Sequence, residues 1–346
     1  MVLVYCMNSI AITKLLQPFA FTNLGFCSLE SPKSIKFYKS WLKNDFHGDM
    51  KYMEEHLPQK EYPQAHFDKM QGCITIAMNY YPHPQAKELP FKQLKIAKYA
   101  HGDDYHIWFK EKLNQAANLL KSHFTDQDFI GMTDSSPVLE RDLAHRSGLG
   151  WVGKNTCLIN REHGSFFFIG EIYTSLAFED QSLTSDFCGT CNRCIESCPT
   201  GALKEPKVLD ANLCISYLTI ESKSIPSENL RNKMAGWFFG CDICQDVCPW
   251  NQHFIKNSLL PLPIQPDENI AELIQELELI LNSSNNQLNR LTKDLALSRA
   301  RGFGMKRNAL LLVAELKLKQ LIPDVKRQKE DPKLIDLADW TLDRLV

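Results

Sequence analysis

The amino-acid sequence predicts an α+β protein in three parts: a mixed body over residues 1–180, a cysteine-bearing module over 181–255, and a linker with a short helical tail over 256–346. Three observations carry that division. Short β-rich runs alternate with helical patterns in the first half, eight of the twelve cysteines fall between Cys188 and Cys248, and the composition turns proline-rich beyond residue 256. At roughly 150 residues per domain, 346 residues argue for two or three domains. With 44% hydrophobic and 23% charged residues the chain lies in the globular range, which excludes wholesale disorder.

In the body, Cys73-Ile74-Thr75-Ile76-Ala77-Met78 and Ser165-Phe166-Phe167-Phe168-Ile169-Gly170 are the strand candidates. Between them Ile107 to His123 carries apolar residues at helical spacing, and Asn160 to Gly164 has the composition of a hairpin turn. Residues 181–255 show little periodicity and enough apolar content for only a thin core, so bound metal is expected to organise them. Pro261, Pro263 and Pro266 mark a linker, Glu268 to Leu281 an acidic helix, and the polar run Asn282 to Gln287 a loop. The tail from Met305 predicts two or three short helices, Leu310 to Leu318 and Leu334 to Leu345 among them, punctuated by Pro323 and Pro332.

A formal charge of -2 gives no net electrostatic reason to seek nucleic acid or an anionic membrane. The tail supplies a local one. Between Arg299 and Lys329 stand nine basic residues against two acidic ones, a face suited to neutralising phosphates or, equally, an ordinary solvated helix surface. The opening Met-Val-Leu-Val-Tyr-Cys-Met is apolar, but the first basic residue is Lys14, which makes a poor export signal. No run approaches the roughly 20 apolar residues of a membrane span. A cytoplasmic protein with no membrane partner is expected.

Cys188, Cys191, Cys194 and Cys198 followed by Pro199 reproduce the bacterial ferredoxin run, whose spacing lets three thiolates grip one iron–sulfur cube. Cys241, Cys244, Cys248 and Pro249 match its last three positions, with Phe238 where the first cysteine would stand. Cys214 fills the gap and brings the thiolates to eight, the number two four-coordinate clusters need. Because the last cysteine of each run ligates the other cluster in such modules, the ligation is expected to cross. Cys188, Cys191, Cys194 and Cys248 would hold one [4Fe-4S] cluster, and Cys198, Cys214, Cys241 and Cys244 the other. Zinc also takes paired cysteines, but a three-cysteine run ending in Cys-Pro is not zinc spacing.

Beyond the cysteines, several stretches resemble epoxyqueuosine reductases, the cobalamin-dependent iron–sulfur enzymes of the last step of queuosine synthesis in tRNA. They are Thr133-Asp134-Ser135-Ser136-Pro137-Val138-Leu139-Glu140-Arg141, Ser147-Gly148-Leu149-Gly150-Trp151-Val152-Gly153-Lys154-Asn155-Thr156, Gly170-Glu171, and Cys214-Ile215-Ser216-Tyr217-Leu218-Thr219-Ile220-Glu221. Met78-Asn79-Tyr80 and Tyr99-Ala100-His101-Gly102-Asp103-Asp104-Tyr105-His106 fit as well. The resemblance implies a cobalamin-binding α/β domain, a ferredoxin-like module, and base-off cobalamin between them with no side chain on the cobalt. It implies Asp134 as general acid, and Leu158, Ile169, Ser216, Cys241 and Asp242 in segments that touch the cofactor. It also implies tRNA carrying epoxyqueuosine as substrate, with Lys223 facing it. The tail resembles a shortened HEAT-like unit, whose Lys306 and Arg307 suit an RNA backbone. A monomer fed by an external one-electron donor of flavodoxin or ferredoxin type is expected.

Each assignment has a plainer alternative. Asp134 could be a helix N-cap, since Asp-Ser-Ser-Pro precedes a helix-compatible run. His106 and His145 read as core or surface histidines rather than cobalt ligands. Cys73 and Cys157 read as buried, inert thiols. The glycines at 148, 150 and 153 lack the lysine-serine/threonine pair of a phosphate loop. A corrinoid reductive dehalogenase and a ferredoxin-type electron-transfer subunit are the competing functions.

Overall fold

A computed structural model describes residues 2–81, 89–134, 136–181, 184–256 and 269–346; the linker prolines, Glu268 and Ser135 lie outside the described residues. The body is built on β1 (Asn23–Ser28), β2 (Gly72–Asn79), β3 (Phe129–Met132) and β4 (Phe167–Thr174), in spatial order β1-β2-β4-β3. Every neighbouring pair is antiparallel, which puts the body in the α+β class. β2 and β4 are central and almost wholly buried, because helices cover both faces of the sheet.

Alternate side chains serve the two faces, as the two-residue period of a strand requires. On one face Ile74, Ile76, Phe168 and Ile172 pack with Phe109, Leu113, Ala116 and Leu120 of α1 (Tyr105–His123). On the other, Cys27, Cys73, Met132 and Tyr173 meet Leu143 of α2 (Glu140–Arg146), and Ala77, Leu158 and Phe167 meet its Ala144. Gly170 lets α1 come close: a Cβ there would stand 2.6 Å from Leu113 Cδ1 and 2.9 Å from the Phe109 ring. The short strands Trp151–Val152 and Leu158–Ile159 form a ribbon, and Asn160 and Gly164 bridge as the hairpin reading expects.

The largest apolar cluster joins the second half of the cysteine module to the tail. Ile215 and Leu218 of α3 (Ile215–Ile220), with Phe238 and Phe239, pack against Leu277, Ile280, Leu310, Val313 and Leu337. The tail's central helix, α4 (Arg301–Glu315), is therefore buried on nearly every side. The helices Ile270–Asn282, Asn285–Leu291 and Ile335–Leu345 pack around it, and Ile322–Arg327 packs on the first and last of these. The run Asn282–Gln287 departs from the expected loop, because a helix over Asn285–Leu291 starts within it. The cause is a capping box: the Ser284 hydroxyl accepts from Gln287 N, and the Gln287 side chain accepts from Ser284 N.

One buried ion pair ties body elements that sequence keeps far apart. Arg146, 1% exposed, donates through Nε and Nη2 to Asp180, and through Nη2 to Ser28 O and Oγ on β1. Asp142 lies 3.6 Å from its Nη1. Removing the guanidinium would leave buried Asp142 and the Ser28 carbonyl without it, while half-buried Asp180 keeps Lys33, so Arg146→Ala is expected to cost about 1–3 kcal/mol, read as a lowered urea midpoint. A midpoint within error of the parent would deny the pair that role.

Candidate active site and cysteine module

Asp134 follows β3 in a turn, with its side chain 31% exposed. It does not cap a helix, since α2 begins at Glu140 with Leu139 at the N-cap position. Its carboxylate is engaged instead by the start of α1. The Tyr105 hydroxyl donates to Asp134 Oδ2, and His106 Nε2 lies 3.1 Å from the same oxygen. The opposite ring nitrogen of His106 is 2.6 Å from Asp104 Oδ1. Asp104 is also the N-cap of α1, accepting from His106 N at 3.1 Å. The Tyr105 ring stacks on Phe168 of β4 at 4.2 Å, which fixes this group against the sheet.

More titratable groups gather around it. Burial and then the charge of Asp134 push Glu140 up to about 7. Glu171 on β4 is fully buried, and neither carboxylate oxygen has a hydrogen-bond partner among the described residues. Burial, then the charge of Glu140, holds Glu171 well above the usual carboxylate range and so protonated. From the tail, Arg299 pairs with Glu221 at 2.7 Å and interacts electrostatically with Asp134. Tyr99 connects this group to the module: it packs edge-on to Tyr105 at 5.9 Å and against Phe239 at 6.3 Å.

None of the eight module cysteines is in a disulfide. Their electrostatic neighbours divide them into two groups. Cys248 interacts with Cys188 and Cys194, whereas Cys241 interacts with Cys214 and Cys198, and Cys244 with Cys214 and Cys241. Burial pushes the Cys241 thiol up to about 12 and that of Cys248 to about 11, so without a metal these sulfurs are protonated. A soft, all-sulfur donor set of four per group fits an iron–sulfur cube.

Cys157, expected as a buried thiol, is half-buried and lies beside Cys244. Asn155 Nδ2 also donates to Cys244 O at 3.2 Å, so the segment before Leu158 abuts the second cysteine run. Among the residues expected near a cofactor, Ile169, Ser216 and Cys241 are half-buried. Ile169 is the one position of β4 that is not buried. Leu158 is 3% exposed and Asp242 2%. Asp242 accepts from Lys98 N at 2.8 Å, and burial lifts it to about 6.

Lys223 is exposed and Lys306 half-buried, but Arg307 overturns its assignment as an RNA contact. It is 0% exposed, and its Nη1 donates to Ser222 O at 2.5 Å and Ser224 O at 3.1 Å. Burial drives it down to about 10. The reason is the packing of α4 in the core, which points Arg307 inward at the loop carrying Lys223. The basic count of the tail could not separate this cation from a solvent-facing one. Likewise Asp104, Tyr105 and His106 stood in a family-like stretch, but nothing in sequence paired them with Asp134, 28 or more positions on.

A body carrying a partly exposed aspartate, joined to an eight-cysteine module, defines an iron–sulfur oxidoreductase. Residues 187–251 match the 4Fe-4S double cluster binding domain model, and residues 60–135 match the model described as Epoxyqueuosine reductase QueG, DUF1730. The epoxyqueuosine reductase of Cyclobacterium marinum is 38% identical over 284 residues, which are 82% of this chain and 88% of that protein. A crystal structure of epoxyqueuosine reductase with a tRNA-Tyr epoxyqueuosine-modified stem loop is similar with a TM-score of 0.83, 25% identity, and coverage of 99% and 91% of the two chains. A Bacillus subtilis epoxyqueuosine reductase with its catalytic loop swung out of the active site gives the same score, identity and coverage. The chain belongs to the epoxyqueuosine reductase family. Among the described residues no helix is long and apolar enough to cross a membrane.

Cys214 is the expected ligand remote from both runs, so its removal would affect one cluster and not the other. Anaerobically prepared Cys214→Ala is expected to retain about four irons per chain where the parent holds about eight. A full complement in the variant would remove Cys214 from the ligand set.

Proposed function

We propose that this protein reduces epoxyqueuosine to queuosine in the anticodon loop of tRNA, with Asp134 as the proton donor. The observation that carries the reading is the partly exposed Asp134 carboxylate, engaged by Tyr105 and His106, in a chain of this family that also bears the double-cluster module. Converting an epoxide to an alkene takes two electrons and two protons and releases water. Clusters deliver electrons singly, and a positioned acid makes the oxygen a competent leaving group.

Cys188, Cys191, Cys194 and Cys248 would hold one cluster, and Cys198, Cys214, Cys241 and Cys244 the other. Base-off cobalamin would lie between body and module against Ile169 and Ser216, with Leu158, Cys241 and Asp242 in the adjoining segments. The half-open apolar position at Ile169, on an otherwise buried strand, suits one face of such a ring. Once bound, cobalamin supplies the strongly reducing electrons that epoxide cleavage needs. The chain's own side chains do the rest. Tyr105 orients the Asp134 carboxyl, Asp134 protonates the departing oxygen, and Lys223 and Lys306 position the RNA backbone without reading its sequence. A flavodoxin- or ferredoxin-type donor would reload the clusters of a cytoplasmic monomer.

Anaerobic incubation of the reconstituted protein with cobalamin, reductant and epoxyqueuosine-containing tRNA, followed by nucleoside mass analysis, tests this. Loss of one oxygen is expected, and Asp134→Asn is expected to slow it by about 10²–10⁴-fold with iron content unchanged. An intact epoxide after incubation with fully iron-loaded, cobalamin-bound parent protein would overturn the reading.

A further inference from the structure

The reaction needs two protons per turnover, but Asp134 carries one at most, so it must be reloaded before the oxygen can leave as water. The group next to it is built for that. His106 stands between two carboxylates, with Nε2 3.1 Å from Asp134 Oδ2 and Nδ1 2.6 Å from Asp104 Oδ1. While Asp134 is ionised, both contacts are satisfied as hydrogen bonds only when both ring nitrogens carry a proton; once Asp134 is protonated, its own O–H can serve the Nε2 contact. The ring is fixed in place: it lies 4.1 Å from the Tyr105 ring, and its own backbone N–H is tied to the Asp104 side chain. It is also 30% exposed, which leaves it a route to water.

We propose that Asp104 and His106 form the proton supply of Asp134: Asp104 orients the imidazole and keeps it charged, and His106 relays protons from water to the carboxyl. The inference rests on the epoxide-reduction reading above. Two electrons supplied by the external low-potential donor reduce the epoxide, and the first C–O bond breaks. The oxygen takes the Asp134 proton, and Asp134 takes the Nε2 proton of His106. Neutral His106 regains a proton from water. A second proton passes along the same path, the remaining C–O bond breaks, and the products are an alkene and one water molecule. The oxygen freed by C–O cleavage is far more basic than either side chain, so both transfers run downhill once the bond opens.

Every charged group near the ring belongs in this balance. Asp104 and Tyr105 lie on its own helix, Asp134 on the turn after β3, and Glu140 on α2. Arg299, from the short helix Ala296–Ala300, acts on both Asp104 and Asp134. Burial, the largest single influence, pulls His106 down, but the hydrogen bonds and charges of Asp104 and Asp134 outweigh it and hold the imidazole at about 9. His106 is thus a positioning and relay residue that works through Asp134.

Two variants separate this role from a structural one. Asp104→Asn keeps the N-cap, because asparagine caps as well as aspartate, but it removes the charge. His106→Gln keeps an N–H donor for Asp134 but cannot carry a proton. A ring-nitrogen NMR titration of the holoprotein is expected to place His106 near 9, and to drop it by about one unit or more in Asp104→Asn, toward the ordinary value of about 6.5. In turnover, His106→Gln is expected to lose about 10²-fold in kcat with KM for tRNA nearly unchanged, to lose the alkaline limb of the pH profile, and to keep iron and corrinoid content. An active parent whose His106 titrates near 6.5, or whose His106→Gln variant keeps kcat within about two-fold, overturns the relay alone. An inactive, fully loaded parent overturns the epoxide reading, and the relay falls with it, whatever the titration gives.

Discussion

Two cysteine runs some fifty positions apart must face each other before any other part of this site can work. They do so through a pair of one-turn helices, Arg193–Glu196 and Ile243–Asp246, which pack together and bring Cys248 into the field of Cys188 and Cys194. A segment this poor in apolar residues cannot sustain the arrangement alone. Its second half borrows a core instead, with Phe238, Phe239, Ile215 and Leu218 buried against the tail helices. The tail is in this sense part of the cysteine module's foundation. Arg307 and Asn308 reinforce the joint, the first gripping Ser222 and Ser224, the second donating to Thr219 O and Phe238 O.

The same packing brings the Asp134 group and the cysteine module together. Asp134 and His106 sit at the edge of the body, whereas Asp242 and Cys241 belong to the module. Tyr99 lies between them, touching Tyr105 on one side and Phe239 on the other. The N-terminus of α1 is held from the tail as well, because Asp104 N donates to Asp294 O at 2.9 Å and Arg299 faces Asp134. Body, module and tail each contribute to one centre. Such a centre cannot be assigned to any one segment of the chain.

Much of this was legible in the sequence, and the physics explains where legibility stopped. The strand runs at Cys73 and Ser165 and the helix from Ile107 are local hydrophobic patterns, and they sit close to β2, β4 and α1. The eight cysteines stand out in the sequence because metal ligation demands fixed short spacings. The partnership of His106 with Asp134 was not, because it depends on how α1 crosses the sheet, set in part by the missing side chain at Gly170. Arg307 misled for a related reason: charge counting assumes exposure, and a cation that caps carbonyls inside a core has the same letter as one on the surface. The Ser284 to Gln287 capping box was written plainly in the run from Asn282, but its polar composition reads first as a loop.

The central claim is that the last cysteine of each run belongs to the neighbouring cluster. Diffraction from anaerobically grown crystals, measured at the iron absorption edge, tests it directly. Two compact anomalous peaks are predicted, one bounded by the sulfurs of Cys188, Cys191, Cys194 and Cys248, the other by those of Cys198, Cys214, Cys241 and Cys244. Cys198 found with Cys188, Cys191 and Cys194 around one peak, or a single mononuclear metal in place of either cluster, would contradict it.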